Sequence, residues 1–123
     1  MLKNVERILL SVLLLVCFSC SYTLSQELSI YDEGIKNLQE YISLDTTNPP
    51  GNEMKTALFL KKILDREGIE NQIFDLGNNR ANLLAVLRGD GTQKPVILLH
   101  HMDVVPADAE YWTVPPFSGE IKN

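Results

Sequence analysis

Cysteine is scarce in this sequence: two occur among 123 residues, Cys17 and Cys20, both in or beside an apolar N-terminal run. The region beyond residue 26 therefore has no disulfide, although export would permit one, and no thiolate to offer a metal. Histidine is equally rare, and its two copies are adjacent, His100 and His101. No lysine–arginine block is present and the net charge is −5, so nothing in the bulk composition favours nucleic acid or an anionic membrane surface. Internal repeats and low-complexity tracts are also missing. What remains is an ordinary globular composition, 45% hydrophobic and 22% charged, of a length that suits one domain at most.

The first 26 residues are of a different kind. Lys3 and Arg7 form a positive flank, partly offset by Glu6, and Ile8 to Phe18 is apolar apart from Ser11. That run is too short to span a bilayer as a stable helix and has the length of a signal-peptide core. We expect residues 1–26 to be an export signal and the product to be periplasmic, a membrane-anchored lipoprotein or secreted. Two forms stay open: a lipoprotein signal that ends before Cys20 and leaves it as a lipid anchor, or simple cleavage near Thr23-Leu24-Ser25.

Beyond the signal, Tyr31, Ile35, Leu38 and Ile42 recur at helical spacing and predict a helix from about Leu28 to Ile42. Ser43 to Asn52 holds two prolines and a glycine and reads as a loop. A second helix is expected from about Glu53 to Glu67, with Asn52 as N-cap, Gly68 as its stop, and Ala57, Leu60, Ile63 and Leu64 as its buried stripe. Three strand candidates follow: Glu70 to Leu76, Ala81 to Leu87 and Val96 to His100. The second and third are joined by Arg88-Gly89-Asp90-Gly91-Thr92-Gln93-Lys94 and are expected to pair as a hairpin within a sheet covered on both faces. Arg88-Gly89-Asp90 also spells an integrin-type tripeptide, but its glycines suit ordinary turn building. The fold class is α/β, with two helices followed by a strand hairpin of a mixed sheet.

The chemistry concentrates in Pro95-Val96-Ile97-Leu98-Leu99-His100-His101-Met102-Asp103-Val104-Val105-Pro106. Ligands bind outside the carboxyl ends of strands in open α/β sheets. Neutral imidazole is a good zinc donor, and zinc-binding histidines commonly give their second ring N–H to a carboxylate or carbonyl. In an extended segment residues i and i+2 project to one side. That relation pairs His101 with Asp103, which can either hold the imidazole or approach the metal itself, and turns His100 the other way. His101 is thus the candidate metal ligand, yet a zinc site needs three or four protein ligands, and a lone His-x-Asp triplet is a weak signal.

The stretch from Leu98 to Pro106 resembles the first metal motif of the dizinc aminoacylase/carboxypeptidase family, which includes acetylornithine deacetylase, succinyl-diaminopimelate desuccinylase and the Gly-Xaa carboxypeptidases. Asp45-Thr46-Thr47-Asn48-Pro49-Pro50-Gly51-Asn52-Glu53 resembles the family's loop after the first helix. Arg80-Ala81-Asn82-Leu83 resembles the entry to its second strand, and Trp112 with Pro116-Phe117-Ser118-Gly119 its following segment. The resemblance covers nearly all of residues 28 to 123. It implies that residues 27–123 are the N-terminal part of a zinc-peptidase-like catalytic domain, with His101 as a ligand of one zinc and Asp103 as the catalytic aspartate that orients and polarises it. It further implies two zinc ions per complete site, hydrolysis of a peptide or N-acyl amino acid, and a smaller inserted domain often used for homodimerisation. Two departures stand out. His100 replaces a residue that is usually small, and the sequence ends before the expected Gly-Arg-Gly-x-x-Asp-x-Lys motif, so the remaining ligands are expected beyond Asn123 and the chain alone is expected to be inactive. The alternative from a different class is a non-catalytic exported or lipid-anchored binding module.

Overall fold

The computed structural model describes residues 29–122. The expected export signal, with Cys17 and the candidate lipid anchor Cys20, lies outside the described residues. The chain divides into two compact units after Leu38. The first helix, α1, covers residues 29–43 and runs across that division. In the first unit its apolar stripe stays open to solvent, with Tyr31 75% and Leu38 58% exposed.

The second unit, Gln39–Asn123, holds helix α2 (Glu53–Arg66) and strands β1 (Glu70–Gly77) and β2 (Arg80–Val86). Helix α2 is written in strong helix formers, Glu-Met-Lys-Thr-Ala-Leu-Phe-Leu-Lys-Lys-Ile-Leu-Asp-Arg, with Glu53 in its first turn and Arg66 in its last, each complementing the helix dipole. Asn52 holds the N-cap position, but its side chain makes no capping bond. The orphan amide of Met54 instead donates to the carbonyl of Asn79 at 2.9 Å, so the strand turn caps the helix. At the other end Gly68 adopts φ +67°, and the Ile69 amide reaches back to the Leu64 carbonyl at 2.8 Å, which closes the last turn.

The hairpin differs from the expected one. Strand β1 pairs antiparallel with β2, from Glu70 opposite Val86 to Gly77 opposite Arg80. The connection is Asn78-Asn79, with φ of 52° and 62°. Positive φ at both central residues is what a tight type I′ hairpin turn requires, and asparagine tolerates it best after glycine. Residues 88–94 form a local turn of their own. The Asp90 carboxylate accepts from the Thr92 amide at 2.9 Å and hydroxyl at 2.7 Å, while Arg88 pairs with Glu70 at 2.7 Å. Both charged members of the Arg88-Gly89-Asp90 triplet are therefore engaged in turn and strand contacts.

Residues 96–100 are not a strand: no ladder partner lies beside them among the described residues, and Leu98 and Leu99 are each 93% exposed. The sheet is covered on one face, where Ala81 is buried and Ile73 and Leu83 are half-buried, with α2 packed against both strands. The opposite face, bearing Phe74, Leu84 and Val86, is open. One helix can shield one face only, which is why the expected double cover is missing among the described residues. The core is correspondingly small and partly polar: Ala57 and Ala81 are buried in it beside Thr46, Glu53 and Thr56.

Candidate active site

The sequence places Asp45, Thr46 and Thr47 before a proline pair, residue types that prefer to bond their own backbone over continuing a helix. Asp45 does this, accepting from the Thr47 amide at 2.9 Å and the Thr47 hydroxyl at 2.6 Å. These bonds hold the Asp45 carboxyl below the usual carboxylate range. The turn sets residues 46–48 alongside residues 102–104 in a short parallel arrangement, with Thr47 bridged to Val104. The Asn48 amide donates to the Val104 carbonyl at 2.9 Å, and the Val104 amide to the Thr46 carbonyl at 3.3 Å. The buried Thr46 hydroxyl donates to the Met102 carbonyl at 2.7 Å.

His101 and Asp103 come together on this support. His101 Nδ1 lies 2.8 Å from the Asp103 backbone carbonyl and 3.3 Å from Asp103 Oδ1. A carbonyl can only accept, so Nδ1 is the donor in this contact, and in the neutral ring Nε2 is the nitrogen with the lone pair that a metal would use. The imidazole is 84% exposed and the Asp103 side chain 34%. The other carboxylate oxygen, Oδ2, accepts from Asn48 Nδ2 at 2.8 Å. That bond is the foremost reason the Asp103 carboxyl sits below the usual range, with the nearby His101 and Arg80 adding to it.

His100 has a separate partner. Its Nε2 and the Tyr41 hydroxyl are 3.1 Å apart, with ring centroids at 6.2 Å. Burial raises the Tyr41 phenol above its ordinary value. The histidine that departs from the family pattern thus joins the end of α1 instead of the imidazole–carboxylate pair.

Gly51 closes the loop. Its φ is +82°, and a Cβ there would stand 2.9 Å from the Glu53 carboxylate and 3.2 Å from Arg80 Nε. Glu53 is buried and receives Arg80 through two bonds, at 2.7 and 3.3 Å. The loop is thereby tied to β2. Two cavities, of about 550 and 600 Å³, share the segment His101 to Asp103 as a wall. Arg80 and Glu53 line the first; Tyr41, Trp112 and Phe117 line the second.

Among the described residues no group of three or more His, Cys, Asp or Glu side chains is placed to hold a metal. Sequence reasoning singled out His101 and Asp103 but missed Thr46, Asn48 and Tyr41. The signal for the first two was present: a polar, turn-forming run just ahead of Pro49-Pro50, in a loop long enough to do more than connect. Nothing in the local sequence marks Tyr41, which lies on a helix.

No protein-family profile matches the chain. Individual relatives do. The probable succinyl-diaminopimelate desuccinylase of Staphylococcus aureus (strain Mu50) is 36% identical over 87 residues, 69% of this chain and 20% of that protein. The corresponding Staphylococcus epidermidis protein (strain ATCC 12228) is 35% identical over 85 residues, again 20% of its length. The N-fatty-acyl-amino acid synthase/hydrolase PM20D1 of Bos taurus is 49% identical over 41 residues, 33% of this chain and 8% of that protein. The matched stretch is that of the aminoacylase/carboxypeptidase family. The chain spans about a fifth of the length of the bacterial relatives it matches. Among the described residues, no helix is long and apolar enough to cross a membrane.

Proposed function

We propose that this chain supplies the first zinc-ligating segment, and the loop that supports it, of an exported hydrolase acting on the amide bonds of N-acyl amino acids or peptides. The observation that carries the reading is the setting of His101, with Nδ1 engaged by the Asp103 carbonyl at 2.8 Å on a side chain that is 84% exposed. The names of the relatives support the substrate class: one is a probable succinyl-diaminopimelate desuccinylase, another an N-fatty-acyl-amino acid synthase/hydrolase.

The donor set fits zinc in kind. An exposed imidazole with its second nitrogen fixed suits a first ligand, and a carboxylate beside it keeps the ring oriented. His101 would hold the metal and Asp103 would orient His101. When bound, zinc supplies Lewis-acid polarisation of the scissile carbonyl. Asp103, held ionised by the Asn48 amide, keeps negative charge near the imidazole and so strengthens it as a donor. The two zinc ions that the family uses, and a homodimer through its inserted domain, belong to the same proposal, as do export and a lipid anchor at Cys20.

A zinc titration followed through the imidazole 15N signals tests the assignment. His101 Nε2 is expected to respond first and His100 to lag, with the response lost in His101→Ala. An equal response of both rings, or none at His101, would refute it. The 123-residue chain by itself is expected to show no amidase activity, because one imidazole and one carboxylate cannot hold two zinc ions. Zinc-dependent hydrolysis of an N-succinyl or N-fatty-acyl amino acid by this chain would overturn that expectation.

A further inference from the structure

We infer that Asn48 is a positioning residue for the reaction, fixing the rotamer of Asp103 so that one carboxylate oxygen is spent on the loop and the other faces His101. The inference deepens the zinc-hydrolase proposal and rests on it for the meaning of Asp103, but the geometry it uses is independent of any metal.

Asn48 is held at two points. Its backbone amide donates to the Val104 carbonyl at 2.9 Å, and its side-chain Nδ2 donates to Asp103 Oδ2 at 2.8 Å. The two acceptors sit on successive residues of the segment that carries His101. A residue bonded at both points of that segment, once through its backbone and once through its side chain, cannot slide along it without breaking one bond. A carboxylate has two oxygens, and on this short side chain χ1 has few staggered wells while χ2 is broad, so a bond to one oxygen restricts both torsions. With Oδ2 committed to Asn48, Oδ1 is left 3.3 Å from His101 Nδ1. A bond from a neutral amide donor to an ionised acceptor is stronger than a neutral pair, and Asn48 and Asp103 are both only half exposed, so water competes less.

The loop that presents Asn48 is itself built to stay in place. Thr46 and Thr47 anchor its start through the Met102 carbonyl and the Asp45 carboxylate. Gly51 and the Glu53–Arg80 pair anchor its end. Asparagine suits the position because it offers a donor with no charge. Aspartate would bring a second carboxylate to Oδ2, and serine is too short to span the same distance.

The test reads the Asp103 χ1 angle in the 123-residue chain from three-bond couplings between its side-chain carboxyl carbon and the backbone nitrogen and carbonyl. In the unaltered protein the couplings are expected to report one rotamer. Asn48→Ala is expected to average them, and Asn48→Asp to shift them to another rotamer. Slow exchange of the Val104 amide, which bonds to Thr46, is expected to persist in both. The reciprocal variant, Asp103→Ala, is expected to speed exchange of the Asn48 side-chain amide by about tenfold. It keeps the test decisive if substitution of Asn48 unfolds the protein. Unchanged Asp103 couplings in the Asn48 variants would overturn the inference, as would an unchanged Asn48 side-chain amide in Asp103→Ala. So would loss of Val104 protection together with the rotamer, which would mean that Asn48 merely holds the loop together. If zinc fails to touch His101 while the Asp103 rotamer still depends on Asn48, the metal reading fails and the positioning survives.

Discussion

The two halves of the stretch from Pro95 to Pro106 behave oppositely. Residues 96–99 are 82–93% exposed and pair with nothing among the described residues. Residues 102–104, a few positions on, are bonded at every step to the loop ahead of α2: Met102 to Thr46, Asp103 to Asn48, Val104 to Thr46 and Asn48. The more hydrophobic half is thus the less anchored. What holds the candidate site is a set of polar contacts from a loop, while the apolar run contributes no burial here. Apolar sequence stabilises only where a partner surface removes it from water. A short polar segment can organise itself locally, because its donors and acceptors find each other across a few residues.

That contrast is broken most strongly at Arg80. Removing its guanidinium leaves Glu53, 5% exposed, with its charge uncompensated. Loss of a charged hydrogen-bonding partner at a buried carboxylate costs about 2–3 kcal/mol, toward the lower part of the buried-pair range because Arg80 itself is partly exposed. Urea denaturation of Arg80→Ala should show this loss, and adding Glu53→Gln should recover part of it. Additive losses in the pair would mean that the two residues act independently.

Thr46→Val tests the clamp one bond at a time. The substitution keeps the shape of a buried side chain and leaves the Met102 carbonyl without its donor. The expected loss is about 1–2 kcal/mol by the same melt. A neutral result would show that water replaces the hydroxyl and that the loop is less closed than its distances imply.

Acid should loosen the same region. Asp103 is held low by Asn48, and Asp45 by Thr47. A carboxyl whose folded pKa is depressed contributes stability that is present above its unfolded value, about 3.9, and is lost as pH falls through the folded one. Below about pH 4 the amides of residues 46–48 and 102–104 should therefore lose exchange protection. Asp65, held low by Asn71 and then Lys61, should weaken the α2–β1 corner in the same window. Protection unchanged across that window would mean that neither carboxylate holds the region in place.

Much of the frame was legible in the sequence: the two helices to within a residue of their bounds, the glycine stop at Gly68, and the proximity of His101 and Asp103. The pairing of strands was not. Gly89 and Gly91 made the 88–94 connection look like the hairpin, whereas Asn78-Asn79 has the positive φ values that a tight turn demands. Composition flagged the more conspicuous turn, and local backbone geometry chose the other. Nor could periodicity find Asn48, because its role depends on two segments 55 residues apart lying side by side. Family likeness had already marked the loop around it, without saying what the loop does.

The smallest expected effect is the sharpest check on the contrast. Leu98 and Leu99 are each 93% exposed, so replacing either with serine removes no buried surface. In this chain Leu98→Ser and Leu99→Ser should change the unfolding free energy by no more than about 0.5 kcal/mol. They should also lower any tendency to self-associate, since a run of large exposed apolar residues is a sticky patch. A core leucine truncated to a small residue costs about 2–5 kcal/mol. A loss in that range, measured at a concentration where the protein is monomeric, would mean that the run is buried in solution. The site would then rest on hydrophobic packing after all, and the loop contacts at Thr46 and Asn48 would be its trim and no longer its frame.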